Sequence, residues 1–577
     1  MNFNPGANFR PKLWSALRNY NAKKFQADLV AGVVVGIVAL PLAIAFGIAS
    51  GVSPTVGLIT AIIGGFMVAA FGGNSVQIGG PTGAFIVIVY GIIARFGLEG
   101  LAVATFMAGV ILILMGIFRL GTVIKFIPYP IVVGFTAGIA LTILSTQVND
   151  FFGLGLRDLP GDFISKWGIY FRSFDRTSLT TLAVAVASLA IIVITPRISK
   201  RLPGALMAII FVTVAVYLLK SLLPGFSVDT IGDRFGSMPT DIPEPKGFSL
   251  DMATINMLLP SAFTIAVLGA IESLLSATVA DGVTGSHTRT NTELMGQGIA
   301  NCVVPFFGGI PVTGAIARTM TNITNGGRTP VAGLIHALVL LLIFIFLMPL
   351  INFVPMATLA AVLAVVAYNM SGWRTIVALT KAPASDISVM TVTFFLTVVF
   401  DLTIAIEIGL LLAVVLFLKR VTQNTEIKVY SQQLDVAEGT DLDASHHEVL
   451  DVLPGVSVYE IDGPFFFGIA TKFDEMMRST LVDKPKVRII RMRKVPFIDS
   501  TAMHNLETLI RSSHSEGIQI VLSGVKENVR ETLVHAGIDK LIGADNICPH
   551  ISVAVDKANS IARSAESSAF TGAPATA

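Results

Sequence analysis

Charge is what this chain has least of. Only 14% of its 577 residues are Asp, Glu, Lys or Arg, while 53% are hydrophobic. No soluble protein of this size needs so much apolar surface, so a chain that is soluble throughout is excluded. The formal net charge of +2 gives no sign of nucleic-acid binding. Cysteine is almost missing. Cys302 and Cys548 have no neighbouring cysteine and no zinc-like spacing, and they read as small buried residues. There is no Gly-x-x-x-x-Gly-Lys-Ser/Thr run, so no ATP site is expected. No nucleophile–base or metal constellation appears either, so neither enzyme chemistry nor a metal or other cofactor is expected.

What the chain does have is unevenly placed. Residues 28–421 are dominated by apolar runs, and the rest reads as an ordinary soluble domain. The expected division is a cytoplasmic N-terminal segment 1–27, a membrane domain 28–421, a linker 422–440, an α/β domain 441–560 and a disordered tail 561–577. Residues 1–25 are polar and basic without a small-residue cleavage site, so the first apolar run is expected to remain as a span.

The apolar runs fall near 30–50, 54–71, 82–95, 99–118, 127–148, 178–196, 205–223, 255–280, 291–307, 314–324, 331–350, 354–370, 385–400 and 402–418. Most can cross a bilayer at about 1.5 Å per residue. The third and tenth reach only about halfway, and each follows a Gly/Pro-rich break. Gly79-Gly80-Pro81-Thr82-Gly83-Ala84-Phe85 in the first half resembles Gly308-Gly309-Ile310-Pro311-Val312-Thr313-Gly314-Ala315-Ile316 in the second. The pattern predicts an α-helical polytopic membrane protein of about fourteen segments in a 7+7 inverted repeat, with two half-helices meeting N-terminus to N-terminus. Helix starts inside a membrane present bare N–H groups and a positive dipole end, which suit an anion.

Basic residues cluster before the first span (Arg10, Lys12, Arg18, Lys23, Lys24). They recur after the fourth (Arg119, Lys125), sixth (Arg197, Lys200, Arg201), twelfth (Arg374, Lys381) and fourteenth (Lys419, Arg420). These positions share one side if spans alternate, so both termini are expected to be cytoplasmic. In the tail, strand-like runs at 456–461, 487–492 and 518–522 alternate with helical spacing at 501–515 and 526–536, which predicts an α/β sandwich.

Several runs carry a family resemblance. They are Leu40-Pro41-Leu42-Ala43-Ile44-Ala45-Phe46, the Gly80-Pro81-Thr82-Gly83 break, Gly269-Ala270-Ile271-Glu272-Ser273-Leu274-Leu275, Phe306-Phe307-Gly308-Gly309 and Ala317-Arg318-Thr319. Together they resemble the SulP anion transporters. Ile498-Asp499-Ser500-Thr501 resembles the STAS domain that ends most members. Within the family the chain, including Glu293-Leu294-Met295-Gly296-Gln297-Gly298, is most similar to bacterial carriers of C4-dicarboxylates or bicarbonate.

The resemblance implies secondary active transport of a small anion across a bacterial inner membrane by alternating access. Segments 1–4 and 8–11 would move against 5–7 and 12–14; the resemblance also implies a homodimer and a cytoplasmic partner on the STAS domain. Substrate would bind at Thr82, Gly83, Ala84, Thr313, Gly314, Ala315 and Arg318. The two threonine hydroxyls could cap the half-helices or donate to the anion. Glu272, an intramembrane carboxylate, implies ion coupling. With Ser276 one turn on, it could carry a proton or help hold sodium; a structural salt bridge to Arg318 is the other reading. Leu42 stands where sulfate-transporting relatives commonly have Gln, which favours a proton-coupled C4-dicarboxylate carrier over sodium-coupled bicarbonate or proton-coupled sulfate transport. Glu293 and Asn301 read as helix-packing hydrogen bonders, and Asp401 and Glu407 as structural or oligomer contacts. Thr501, ahead of Ser500, is the candidate STAS phosphorylation site, against a plain helix cap. The rival functions are a passive anion channel, a nucleobase permease and a STAS-based membrane signalling protein.

Overall fold

The computed structural model describes residues 9–570 apart from 19, 123–127, 157–158, 161, 200–202, 224, 237–243, 250, 401, 431–432, 436–448 and 480–484. Lys125, Lys200, Arg201 and Asp401 therefore lie outside the described residues. The chain divides into two compact units, Met1–Ala413 and Val414–Ala577.

In the first unit, α1 (Lys12–Leu17) precedes α2 (Ala22–Ala49) and α3 (Pro54–Phe71). Strand β1 (Gly79–Gly80) and a 3-10 turn (Gly83–Phe85) lead into α4 (Ile86–Ile117). Then come α5 (Tyr129–Phe152), α6 (Phe163–Ser173), α7 (Leu179–Ile198), α8 (Gly204–Leu222) and α9 (Ile231–Phe235). The second half runs α10 (Met252–Thr284), α11 (Thr290–Val303), β2 (Thr313–Gly314), α12 (Ile316–Thr324), α13 (Val331–Ile351), α14 (Met356–Met370), α15 (Trp373–Leu379), α16 (Ala384–Val399) and α17 (Leu402–Asn424).

Every expected apolar segment falls on a helix, and among the described residues nine stretches are long and apolar enough to cross a membrane. Helix α4 carries the third and fourth segments. Gly97, with φ 69°, breaks it between them. The packing pairs the halves crosswise. Helix α4 packs on α10 and α11, while its counterpart α13 packs on α2 and α3. Likewise α5 packs on α16, and α14 on α7. Each contact has a partner with the halves exchanged, as an inverted repeat requires. Helix α6 lies between the fifth and sixth apolar segments. Asp162 caps it by accepting from the Ser165 N–H at 2.8 Å, and its aromatic face packs Trp167 against Tyr170.

In the second unit a five-stranded sheet has the order β3 (Glu426–Tyr430), β6 (Val456–Asp462), β7 (Val487–Arg491), β8 (Gln519–Ser523), β9 (Ile547–Cys548). Strand β3 is antiparallel to β6 and the others are parallel. A separate ribbon pairs β4 (Gln433–Asp435) with β5 (Val449–Asp451). Helices α18 (Phe467–Ser479), α19 (Ser500–Ser515), α20 (Glu527–His535) and α21 (Ile538–Ile542) cover one face, and α22 (Ile551–Phe570) the other. Strand β7 shows why. Its side chains alternate, so Ile490 joins the cluster with Phe473 and Leu506, while Ile489 joins Ala554, Val555 and Ala558.

Two boundaries are corrected. The 422–440 stretch is not simply a linker: α17 runs to Asn424, and β3 extends the sheet along β6 from Glu426 to Tyr430. The tail does not begin at 561. Ala558 and Ala562 continue the buried stripe of α22, so the helix persists to Phe570, and 571–577 lie outside the described residues.

Candidate functional site

The two Gly/Pro breaks come together. Gly79 pairs with Gly314 and Gly80 with Thr313 in an antiparallel ladder, and Ala315 N donates to the Ile78 carbonyl at 3.0 Å. Because the strands run in opposite directions, the helices that follow them leave in opposite directions. Two helix N-termini thus flank one short ladder.

Extended backbone at membrane depth must have its polar groups satisfied by protein. In the first break Asn74 Oδ1 accepts from the Val76 and Gln77 N–H groups at 2.8 and 2.9 Å. Asn322 Nδ2 donates to the Val76 carbonyl at 2.8 Å, and Ile78 N donates to Thr319 Oγ1 at 3.1 Å. In the second, Ile310 N donates to Thr60 Oγ1 at 2.9 Å, and Asn301 holds Val312. Glu293 accepts from Gly73 N at 2.7 Å and Asn74 N at 2.9 Å, with Gln297 donating to its other oxygen at 2.8 Å. Glu293 and Asn301 are therefore backbone clamps on the breaks rather than helix-packing bonds.

Arg318 joins the halves. It lies one turn into α12, is 2% exposed, and its Nη2 donates to the Pro81 carbonyl at 2.7 Å. Its Nη1 has no hydrogen-bond partner among the described residues. Gly80 makes room for it: at φ 145° the backbone excludes most side chains, and a Cβ there would run into Nη1. Gly314 is needed because a Cβ would strike Gln77 Nε2. The salt bridge between Arg318 and Glu272, the alternative reading of that carboxylate, is absent among the described residues. The guanidinium is turned to the Pro81 carbonyl instead, across the ladder.

Neither threonine caps its half-helix. Thr82 is the residue before the 3-10 turn, yet its side chain does not cap it, and its buried Oγ1 has no hydrogen-bond partner among the described residues. Thr313 lies two residues ahead of the α12 cap, Ala315. Its hydroxyl bonds the Gly269 carbonyl at 2.9 Å and Ser273 Oγ at 2.7 Å, so it ties β2 to α10. Gly83 packs beside Met370 of α14 and Ile143 of α5, while Ala84 is fully buried and Ala315 only partly. Glu272 is partly exposed on α10, and Ser276, one turn on, donates to Thr319 Oγ1 at 3.2 Å. Glu407 is exposed on α17.

Sequence reasoning missed Ser273, Asn74, Thr319 and Asn322, although each is a polar residue set inside an apolar stretch. It also missed Asp28. This fully buried carboxylate accepts from the Arg328 and Thr329 N–H groups at 2.9 and 3.2 Å and from the Thr329 hydroxyl, closing the turn between α12 and α13. Tyr20 donates to it at 3.1 Å; burial, and then the Asp28 charge, push the phenol up to about 12.

In the STAS-like unit Asp499 caps α19, accepting from Ala502 N at 2.8 Å and Phe467 N at 3.0 Å. Ser500 and Thr501 are exposed in the first turn and do not cap it.

The profile of the sulfate permease family matches residues 25–393. The chain belongs to that family, SulP. A STAS domain profile matches residues 449–557. Among SulP relatives, YvdB of Bacillus subtilis (strain 168), a candidate sulfate transporter by its description, is 40% identical over 92% of this chain and 98% of its own length. The bicarbonate transporter BicA of Picosynechococcus is 29% identical over 85% of this chain and 87% of its own length. The transmembrane domain of a cyanobacterial BicA superposes with a TM-score of 0.59 at 29% identity, covering 68% of this chain and 98% of that one. Murine Slc26a9 in its inward-facing state shares the fold, with a TM-score of 0.84 at 19% identity over 96% of this chain and 94% of that one. The chain is therefore a multi-pass SulP membrane protein with a STAS domain, of a transporter rather than an enzyme family.

Proposed function

We propose that this SulP protein is a secondary active transporter that binds a small oxyanion between the two half-helix starts. The observation that carries the reading is a pair of buried donors, Arg318 Nη1 and the Thr82 hydroxyl, that no described residue satisfies. They lie beside the first turns of two helices. An anion accepts from all of these at once. Glu272 has room to exchange a proton, being partly exposed and free of Arg318. Ser276 donates to Thr319 and keeps its oxygen lone pairs for a cation, so sodium held with Glu272 is the competing coupling reading.

The relatives named for sulfate and for bicarbonate support an inorganic oxyanion. The C4-dicarboxylate reading came from Leu42 and from the resemblance to carboxylate carriers, whereas these relatives are named for sulfate and bicarbonate; Leu42 itself packs on apolar side chains that include Ala361 and Val362 of α14. Dicarboxylate thus becomes the competing reading. The protein would reside in a bacterial cell membrane as a homodimer with both termini cytoplasmic. Its STAS domain would meet cytoplasmic partners, with Thr501 accessible to a kinase.

Uptake of labelled sulfate, bicarbonate and succinate into proteoliposomes tests this, at acidic and neutral external pH, with and without sodium. Saturable sulfate or bicarbonate uptake that rises with external acidity is the expected result. Succinate outcompeting both would favour the dicarboxylate reading, and no saturable uptake of any anion would refute the transporter.

A further inference from the structure

His336 is a buried titratable side chain that the clamps and the anion site leave unused. It sits in the second turn of α13, fully buried, and neither ring nitrogen has a hydrogen-bond partner among the described residues. Leaving a polar group unpaired in low dielectric is costly, so such a residue needs an explanation. Its place supplies one. A Cβ on Gly65 of α3 would lie 3.6 Å from His336 Cε1, 3.8 Å from Nδ1 and 3.3 Å from the Gly79 carbonyl. The ring therefore lies beside β1, where Gly65 leaves room for it. Arg318 lies against the next residue of the same strand, Gly80.

The two orphans are complementary. A guanidinium has only donors, whereas a neutral imidazole has one acceptor nitrogen. We propose that His336 is a positioning residue of the anion site, supplying through one buried water the acceptor that holds Arg318 Nη1 beside β1 and aims the guanidinium at the anion. Arg318 is then held from two sides, by the Pro81 carbonyl on Nη2 and by His336 on one N–H of Nη1, which leaves the second Nη1 N–H for the anion. The water has a donor on one side and an acceptor on the other, which is the setting in which buried water is retained. This inference rests on the anion-binding reading of Arg318.

The test uses the full-length protein in proteoliposomes, with labelled sulfate and bicarbonate as probes. His336→Leu should raise KM about tenfold, the effect of one hydrogen bond to a charged group, with saturated turnover kept within about twofold. His336→Gln keeps an acceptor and should restore KM to within about twofold of wild type. In an Arg318→Lys background, His336→Leu should add less than about twofold, because the residue acts through the guanidinium. Should His336→Leu fail to accumulate in the membrane, His336→Met carries the same comparison. An unchanged KM in His336→Leu overturns the role. So does a Gln variant as weak as Leu, or an undiminished effect in the Arg318→Lys background. Wild-type protein that takes up neither anion overturns the transport reading and this role with it, whereas normal wild-type uptake with unaffected variants overturns only the role of His336.

Discussion

Asn301 holds Val312 by both of its backbone polar groups: Asn301 Oδ1 accepts from Val312 N at 2.8 Å, and its Nδ2 donates to the Val312 carbonyl at 2.8 Å. The segment entering β2 is thus fixed to α11 before it reaches the ladder. Asn301→Ala would leave two buried backbone groups unpaired, at roughly 1–3 kcal/mol each. The expected outcome is a lower melting temperature in detergent together with weakened anion uptake. Asn301→Asp keeps the acceptor but loses the donor and should fall between Ala and wild type. A thermal-shift series over the three proteins checks the order, and equal melting temperatures would show that the clamp does not matter.

Arg318→Ala removes both the unpartnered donor and the bond to Pro81. Anion affinity should drop by about tenfold to a hundredfold, the effect of one charge-assisted hydrogen bond at roughly 1.5–3 kcal/mol. Uptake kinetics and thermal stability should be measured together. A collapse in stability with normal affinity would make Arg318 a structural tie between the halves and nothing more.

The membrane plan was legible because long apolar runs and twin Gly/Pro breaks are strong signals. The ladder between Gly79–Gly80 and Thr313–Gly314 was not, since two-residue strands carry no periodicity. Thr82 and Thr313 looked alike in sequence, yet one hydroxyl is unpartnered and the other is turned into α10, and only the three-dimensional register separates them. Strand β3 could have been found: Ile427 and Val429 alternate with Glu426 and Lys428. It was lost in a stretch read as linker. Helix α22 was hidden because Ala and Ser at its end resemble a disordered composition, although Ala554, Ala558 and Ala562 keep helical spacing. His336 passed unnoticed as a single polar residue in a very apolar helix.

Glu272→Gln keeps size and hydrogen-bonding capacity but cannot take up a proton. If Glu272 carries the coupling proton, the variant should bind the anion and exchange it, yet fail to accumulate it against a gradient at any pH. Comparing counterflow with pH-driven uptake separates the two. Acid-stimulated accumulation that survives in the variant would remove Glu272 from the coupling mechanism.

Strand β3 makes a specific prediction for truncated proteins. A chain cut after residue 435 keeps Glu426–Tyr430 but loses β6, the strand that pairs with it over five residues. That leaves an unpaired, alternating apolar segment, which is a template for aggregation. A chain cut after Asn424, where α17 ends, has no such segment. Both retain Thr82, Gly83, Ala84, Thr313, Gly314, Ala315, Arg318 and Glu272 in the first compact unit, so both should bind the anion with near-normal affinity. The shorter chain should nevertheless elute as a single species in detergent, while the longer one elutes partly as aggregate. Replacing Val429, 41% exposed, by Lys in the longer chain should reduce the aggregate, because charge on an edge strand opposes edge-to-edge pairing. Size-exclusion profiles of the three proteins decide the matter. Equal profiles would show that β3 is harmless when unpaired, and loss of binding in the folded shorter chain would show that the transport site depends on the STAS domain.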